Sequence, residues 1–268
     1  MGAPSSSQHP RPRAVAVVPA RLASQRLPRK MLLAETGLPL CVHTARNLAR
    51  CAALERVVLA VDHAEVAEAA RAHGIEAVMT RVEHDSGTDR VHEAASALGG
   101  GFDVVVNVQG DEPELDPKDL ERLVAAFASA EVEAATLCAP FANVDEAAQP
   151  QAVKVVRDAR GDALYFSRAT IPHRSTDPTR SYARTGAAAW DTVARRHVGV
   201  YAFRPAALAQ FVSSPQGALE KLENLEQLRW LELGRRMRVI EVARAPLGID
   251  TRSDYDAFVG RVRNGAVR

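Results

Sequence analysis

AVAVVPARLASQRLPRK, residues 14–30, joins a short apolar run to a cationic loop. A continuous run of Ala and Val suits a strand buried on both faces, as in a parallel sheet, and Pro19 marks its expected end after Val18. Arg21, Arg26, Arg29 and Lys30 follow with no acid among them. Open α/β sheets bind ligands beyond the C-terminal ends of their strands. Arg21, Ser24, Arg26 and Lys30 therefore form a candidate cradle for a polyphosphate, held by charge-assisted hydrogen bonds. A solvated basic loop has the same composition, and neither GxGxxG nor GxxxxGK[ST] is present.

The same rhythm extends outward. Strands are expected at 57–61, 75–79, 104–108 and 134–139, and helices at 38–51, 64–73, 88–98 and 117–128. This alternation predicts an α/β fold: a Rossmann-like, mostly parallel sheet with helices on both faces. After Pro140 the pattern changes. Residues 153–157 and 163–166 read as strand–turn–strand, 173–192 as a polar loop, and 196–203 as an alternating strand. Leu219, Leu222, Leu225, Leu228 and Leu231 predict one helix over 218–234, stopped by Gly234. A strand at 237–242 and a helix at 252–263 close the chain. The expected organisation is a disordered tail over 1–13 and one domain over 14–268, with an antiparallel insertion at about 165–205.

Composition narrows the function. The 268 residues carry a net charge of +1, so there is no basic field for nucleic acid. No apolar run reaches the ~18 residues of a membrane span, and the first thirteen residues have no signal-peptide core. Cys41, Cys51 and Cys138 form no CxxC pair and read as reduced thiols of a cytoplasmic protein.

Two more loops stand at expected strand ends. TRVEHDSGTDR holds Arg81, Ser86 and Gly87, where Ser86 or Thr88 also serves as a helix cap. VQGDEPELD holds Gln109, Asp111 and Glu112. A carboxylate there suits Mg²⁺, which takes a few carboxylates plus substrate phosphates. Asp250 in LGIDT is a second such carboxylate, or the N-cap of the last helix. His197 and Tyr201 lie four apart on a strand and face one side. With Arg168 they suit a hydroxylated, carboxylate-bearing ligand. Glu226 and Gln227 sit on the Leu-rich helix, where a solvated face is the ordinary explanation of them.

In order, PARLASQRLPRK, SGTDR, NVQGDEP, AVKVV, YFSRATIP, RHVGVY, LENLEQLR and GIDT resemble the 3-deoxy-manno-octulosonate (Kdo) cytidylyltransferase, or CMP-Kdo synthetase, family over residues 15–262. The resemblance implies transfer of CMP from CTP to the anomeric hydroxyl of a 2-keto-3-deoxy sugar acid, for lipopolysaccharide synthesis, by a homodimer using Mg²⁺. It implies a nucleotide site of Ala20, Arg21, Ser24, Arg26, Lys30, Arg81, Ser86, Gly87 and Gln109. Asp111 and Asp250 would hold the metal, with Arg21 and Lys30 sharing the catalytic role. Arg168, His197, Tyr201, Glu226 and Gln227 would line the sugar-acid pocket. Amino-Kdo and neuraminate-like acids are alternative substrates, and a non-catalytic nucleotide-binding homologue is a further alternative. The chain departs from the family where PGKPL is PRKML, at Arg29 and Met31, and where NPNAVKVV is QPQAVKVV, at Gln149 and Gln151.

Overall fold

The computed structural model describes residues 11–173 and 193–266. Its central sheet runs in the order β3-β2-β1-β4-β8-β5-β9, with β6 and β7 appended through β8. The strands are β1 (Ala14–Ala20), β2 (Leu54–Val61), β3 (Glu76–Met79), β4 (Val104–Asn107), β5 (Ala134–Ala139), β6 (Lys154–Arg157), β7 (Ala163–Ser167), β8 (Ala194–Phe203) and β9 (Arg238–Glu241). β8 pairs antiparallel with both β4 and β5; β1 to β4 and the β5–β9 pair are parallel. The hairpin β6–β7 meets β8 at Ala194–Arg196.

The uninterrupted apolar runs have the expected cause. Ala14, Ala16 and Val18 of β1 enter one core while Val15 and Val17 enter the other. The helices α1 (Leu40–Leu48), α2 (Ala64–Ala72) and α4 (Pro117–Ala125) cover the first face. The second face is covered by α3 (Gly87–Ala97) and by α6 (Pro205–Ser213), which follows a short α5 (Val144–Ala148). Sequence periodicity alone did not predict α5 or α6. Asn143 caps α5 through the Glu146 N–H, and Pro205 opens α6.

Pro19 does not end β1. The Val17 carbonyl accepts the Val108 N–H, so Val17, and two residues later Pro19, turn their backbone groups toward β4. The β1–β4 ladder stops at Val17 and Asn107. Proline's missing N–H therefore removes no ladder bond.

The helix expected over 218–234 is two helices, α7 (Ala218–Glu223) and α8 (Gln227–Glu232). Asn224 stands between them at φ 52°, a left-handed conformation that ends a helix. The leucines repeat every three residues, not every 3.6, so one straight helix would rotate them off the core. The break keeps Leu225 and Leu228 buried and leaves Leu222 on the surface. Trp230, fully buried, and Arg229, paired with Glu220 at 2.6 Å, anchor α8. The closing helix α9 (Arg252–Arg263) forms a satellite core with Leu27, Leu40 and Ile249. Apart from His173, the predicted 173–192 loop lies outside the described residues.

Asn224→Val should destabilise the fold by about 1–2 kcal/mol, because a β-branched side chain is strained at positive φ. Asn224→Gly should not. Urea unfolding of the two variants, at unchanged m-value, measures the difference.

Candidate active site

The strand order changes direction between β1 and β4, and a crevice opens beyond their C-terminal ends. The three loops meet there at close quarters. A Cβ on Gly87 would lie 3.4 Å from Pro19 and 3.5 Å from the Gln109 side chain. One on Gly110 would lie 2.8 Å from Met31 Sδ and 3.1 Å from the Pro19 carbonyl oxygen. Glycine at 110 is thus a requirement of close approach. Met31 packs into this contact and is buried. Its neighbour Arg29 takes φ 56°, so the loop keeps the glycine-like conformation even with a side chain present.

At the base of the crevice Lys30 is 7% exposed. Its ammonium donates to Asp111 Oδ2 at 2.5 Å, to the Ile249 carbonyl at 2.8 Å and to Asp250 Oδ1 at 3.5 Å. The N-cap of α9 is Thr251, in a capping box with Asp254. Asp250 is therefore free to face the crevice, where Arg26 also reaches it at 3.1 Å. Arg21 points elsewhere, donating to the His84 carbonyl at 2.6 Å and tying the first loop to the second. Arg29 pairs with Glu65. The cations of the opening loop thus fan out onto partners in four other segments. Ala20 ends β1 in the core, and Ser24 sits half-buried on the loop.

The second loop is ordered by helix capping and by a buried arginine. Ser86 is the N-cap of α3 and shares a capping box with Asp89. Arg81 is exposed and turns its guanidinium to Glu93, which also binds His84. The fully buried Arg90 donates to Thr80 and to the Arg81 carbonyl.

Beside the carboxylates lies a second polar chamber. Gln109 donates to Asn107, Asn107 to Thr88, and Thr88 to Glu226 at 2.7 Å. Tyr201 donates to Gln227 Oε1 at 3.0 Å, and the buried Gln227 Nε2 has no partner among the described residues. Glu226 and Gln227 are therefore not solvated-face residues. The helix break at Asn224 brings them under the chamber. His197 lies 5.5 Å from Tyr201, ring to ring, as their four-residue spacing implied. Arg168 is at the rim, with its guanidinium donating to the carbonyls of Glu223, Pro150 and Asn224. It is thus a brace for the α7–α8 corner, with donors to spare.

Burial governs the titration of this chamber. It pushes the Glu112 carboxyl up to about 8, with Asp111 adding to the effect, and Glu112 Oε2 is buried without a partner among the described residues. It raises Glu226 and Tyr201 and pushes His197 down to about 3. The chamber therefore favours neutral groups, and its unpartnered polar atoms suit a ligand rich in oxygen.

Motif reading did not select Asn107 and Thr136, which line the chamber, and gave Thr88 only as a helix cap and Glu112 only as an acid beside Asp111. Asn107 and Thr136 carry a signal: each is a fully buried polar residue inside an apolar strand, a place that costs free energy without a partner.

Asp111 and Asp250 fit a hard cation. Two carboxylates converge on a single ammonium, where they would give a divalent ion part of its oxygen shell. Among the described residues no group of three or more His, Cys, Asp or Glu stands ready to hold a metal unaided.

Residues 15–237 match the sequence profile of a family described as Cytidylyltransferase. The chain belongs to that family of nucleotidyltransferases. It is 47% identical over 249 residues to a 3-deoxy-manno-octulosonate cytidylyltransferase of Nitratidesulfovibrio vulgaris strain DP4, covering 92% of this chain and 95% of the relative. A relative of the same name from Anaeromyxobacter sp. strain Fw109-5 is 46% identical, with 91% and 94% covered. In structure it is similar to CMP:2-keto-3-deoxy-manno-octonic acid synthetase complexed with CTP, with TM-score 0.83, 36% identity and 94% and 99% coverage. The mostly parallel α/β sheet agrees with that fold. No helix among the described residues is long and apolar enough to cross a membrane.

His197 near 3 in the fold, against 6.5 unfolded, predicts a pH dependence of stability. The unfolded chain takes up this proton first, so stability should be lost as pH falls from 6.5 toward 3. His197→Gln should remove about one proton's worth of that slope. Urea midpoints of both proteins across this range test it; parallel curves would contradict it.

Proposed function

We propose that the chain transfers CMP from CTP to the anomeric hydroxyl of 3-deoxy-manno-octulosonate, releasing pyrophosphate. The observation that carries this is the convergence of Asp111, Asp250 and Lys30 at the switch point, beside a chamber of neutral hydrogen-bonding groups. In this reading Ala20, Arg21, Ser24, Arg26 and Lys30 receive the triphosphate. Arg81, Ser86, Gly87 and Gln109 surround the base. Arg168, His197, Tyr201, Glu226 and Gln227 take the sugar acid.

Nucleotidyl transfer is largely positioning and electrostatics. The crevice holds the sugar hydroxyl in line with the α-phosphorus, while Arg21 and Lys30 offset the charge that builds on the departing pyrophosphate. Lys30 must exchange its carboxylate contacts for phosphate oxygens when the nucleotide enters. Asp111 and Asp250 would hold Mg²⁺, which when bound would supply charge neutralisation and lower the pKa of the attacking hydroxyl. The cytoplasm, where CTP is available, is the expected compartment. The active form is proposed as a homodimer: among the described residues β6 is the one strand paired with β7, which carries exposed Leu164, and Leu222 is exposed as well.

Pyrophosphate release from CTP tests the reading, with Kdo, an amino-Kdo and N-acetylneuraminate compared, each with and without EDTA. Metal-dependent release with Kdo supports it; preference for another acid moves the substrate; no release from folded protein refutes it. Asp111→Ala and Asp250→Ala should each lower turnover by at least about 10²-fold with the fold retained. Full activity in either variant would remove that residue from the metal site.

A further inference from the structure

Thr136 lies in β5 opposite an irregularity in β8. It pairs with Tyr201, but its neighbour Leu137 pairs with Val198, so Gly199 and Val200 have no partner on β5. The bulge brings two backbone carbonyls onto one side chain. Thr136 Oγ1 is 2.8 Å from the Val200 oxygen, 3.2 Å from the Val198 oxygen and 2.9 Å from His197 Nε2.

A hydroxyl has one proton, and carbonyl oxygens can only accept. The Thr136 proton goes to a carbonyl, since otherwise two oxygens would face Oγ1 with lone pair against lone pair. Oγ1 then meets Nε2 only as an acceptor. Nε2 must carry the ring hydrogen, and Nδ1 is left with its lone pair. Among the described residues Nδ1 has no hydrogen-bond partner. Two rings flank it: Phe166 meets it edge to face at 4.9 Å and Tyr201 lies at 5.5 Å. The backbone is held too, the His197 main-chain N–H donating to the Val153 carbonyl at 2.8 Å. Burial opposes a second proton on the ring.

We propose that Thr136 is a positioning residue that holds His197 as its Nε2–H tautomer, so that Nδ1 accepts a hydrogen bond from a hydroxyl of the sugar substrate. The inference rests on the sugar-acid reading of the chamber and adds a specificity to it. A bare nitrogen attracts a hydroxyl and repels a carboxylate. The acid group of the substrate must therefore be met elsewhere, by the cationic and amide donors.

The test begins with wild-type protein carrying ¹⁵N-histidine, with His197 identified by its loss in His197→Asn. Long-range ¹H–¹⁵N spectra at neutral pH should show a protonated Nε2 and an unprotonated Nδ1. A protonated Nδ1 overturns the proposal, and this arm needs no variant of Thr136 to fold. In kinetics, Thr136→Val should raise the KM for the sugar acid roughly three- to tenfold, the size of one hydrogen bond, with the KM for CTP unchanged. Thr136→Ser should restore it. An equal rise in both KM values, or no rescue by serine, overturns the positioning role. Absence of activity with every acid in wild type would instead defeat the sugar-acid reading, while the spectra would still report the tautomer.

Discussion

A buried ammonium between two carboxylates is the constraint on which the site depends. Lys30 enters the crevice on a 3-10 turn and ties the first loop to Asp111 after β4 and to Asp250 before α9. Removing the ammonium would take the shared cation from both carboxylates. The loops are therefore held in register by this ion group. In the proposed reading the same group makes the crevice receptive: the ammonium occupies the point where the carboxylates would hold a cation, and it would turn to phosphate once they did.

Around this point the fold supplies close contacts more than strong bonds. Gly87 and Gly110 let Pro19, Gln109 and Met31 approach until three loops form one floor. The PRKML departure is absorbed in that floor. Met31 fills the space against Gly110, and Arg29 adopts the left-handed turn with its side chain paired to Glu65. The chamber beyond it depends on two irregularities, the left-handed Asn224 between α7 and α8 and the bulge in β8. The first keeps Leu225 and Leu228 in the core, and the second brings two backbone carbonyls onto Thr136.

Legibility in the sequence followed locality. The strands of the parallel sheet, α2 and α9 were readable because burial on both faces, or a local cap, is written in consecutive residues. Asp111 and Lys30 were readable as chemistry at strand ends. The leucine run misled because its spacing, though helix-like, ignored the turn at Asn224. Asp250 could not be separated from a helix cap by position, since Thr251 beside it is as good a cap. Arg168 was readable from its motif as a ligand-binding cation; that three backbone carbonyls also hold its guanidinium was not, because they come from segments distant in sequence.

By itself the sequence determined an α/β fold with a basic loop at the first strand end, because hydrophobic periodicity and loop composition are local properties. The family resemblance likewise rested on short motifs read in order. Only the tertiary structure decided which residues meet. Lys30 and Asp250 are 220 positions apart, and Thr136 and His197 are 61 apart. Their chemistry depends on proton placement and burial, which exist only once strands from distant parts of the chain pack at a fixed register.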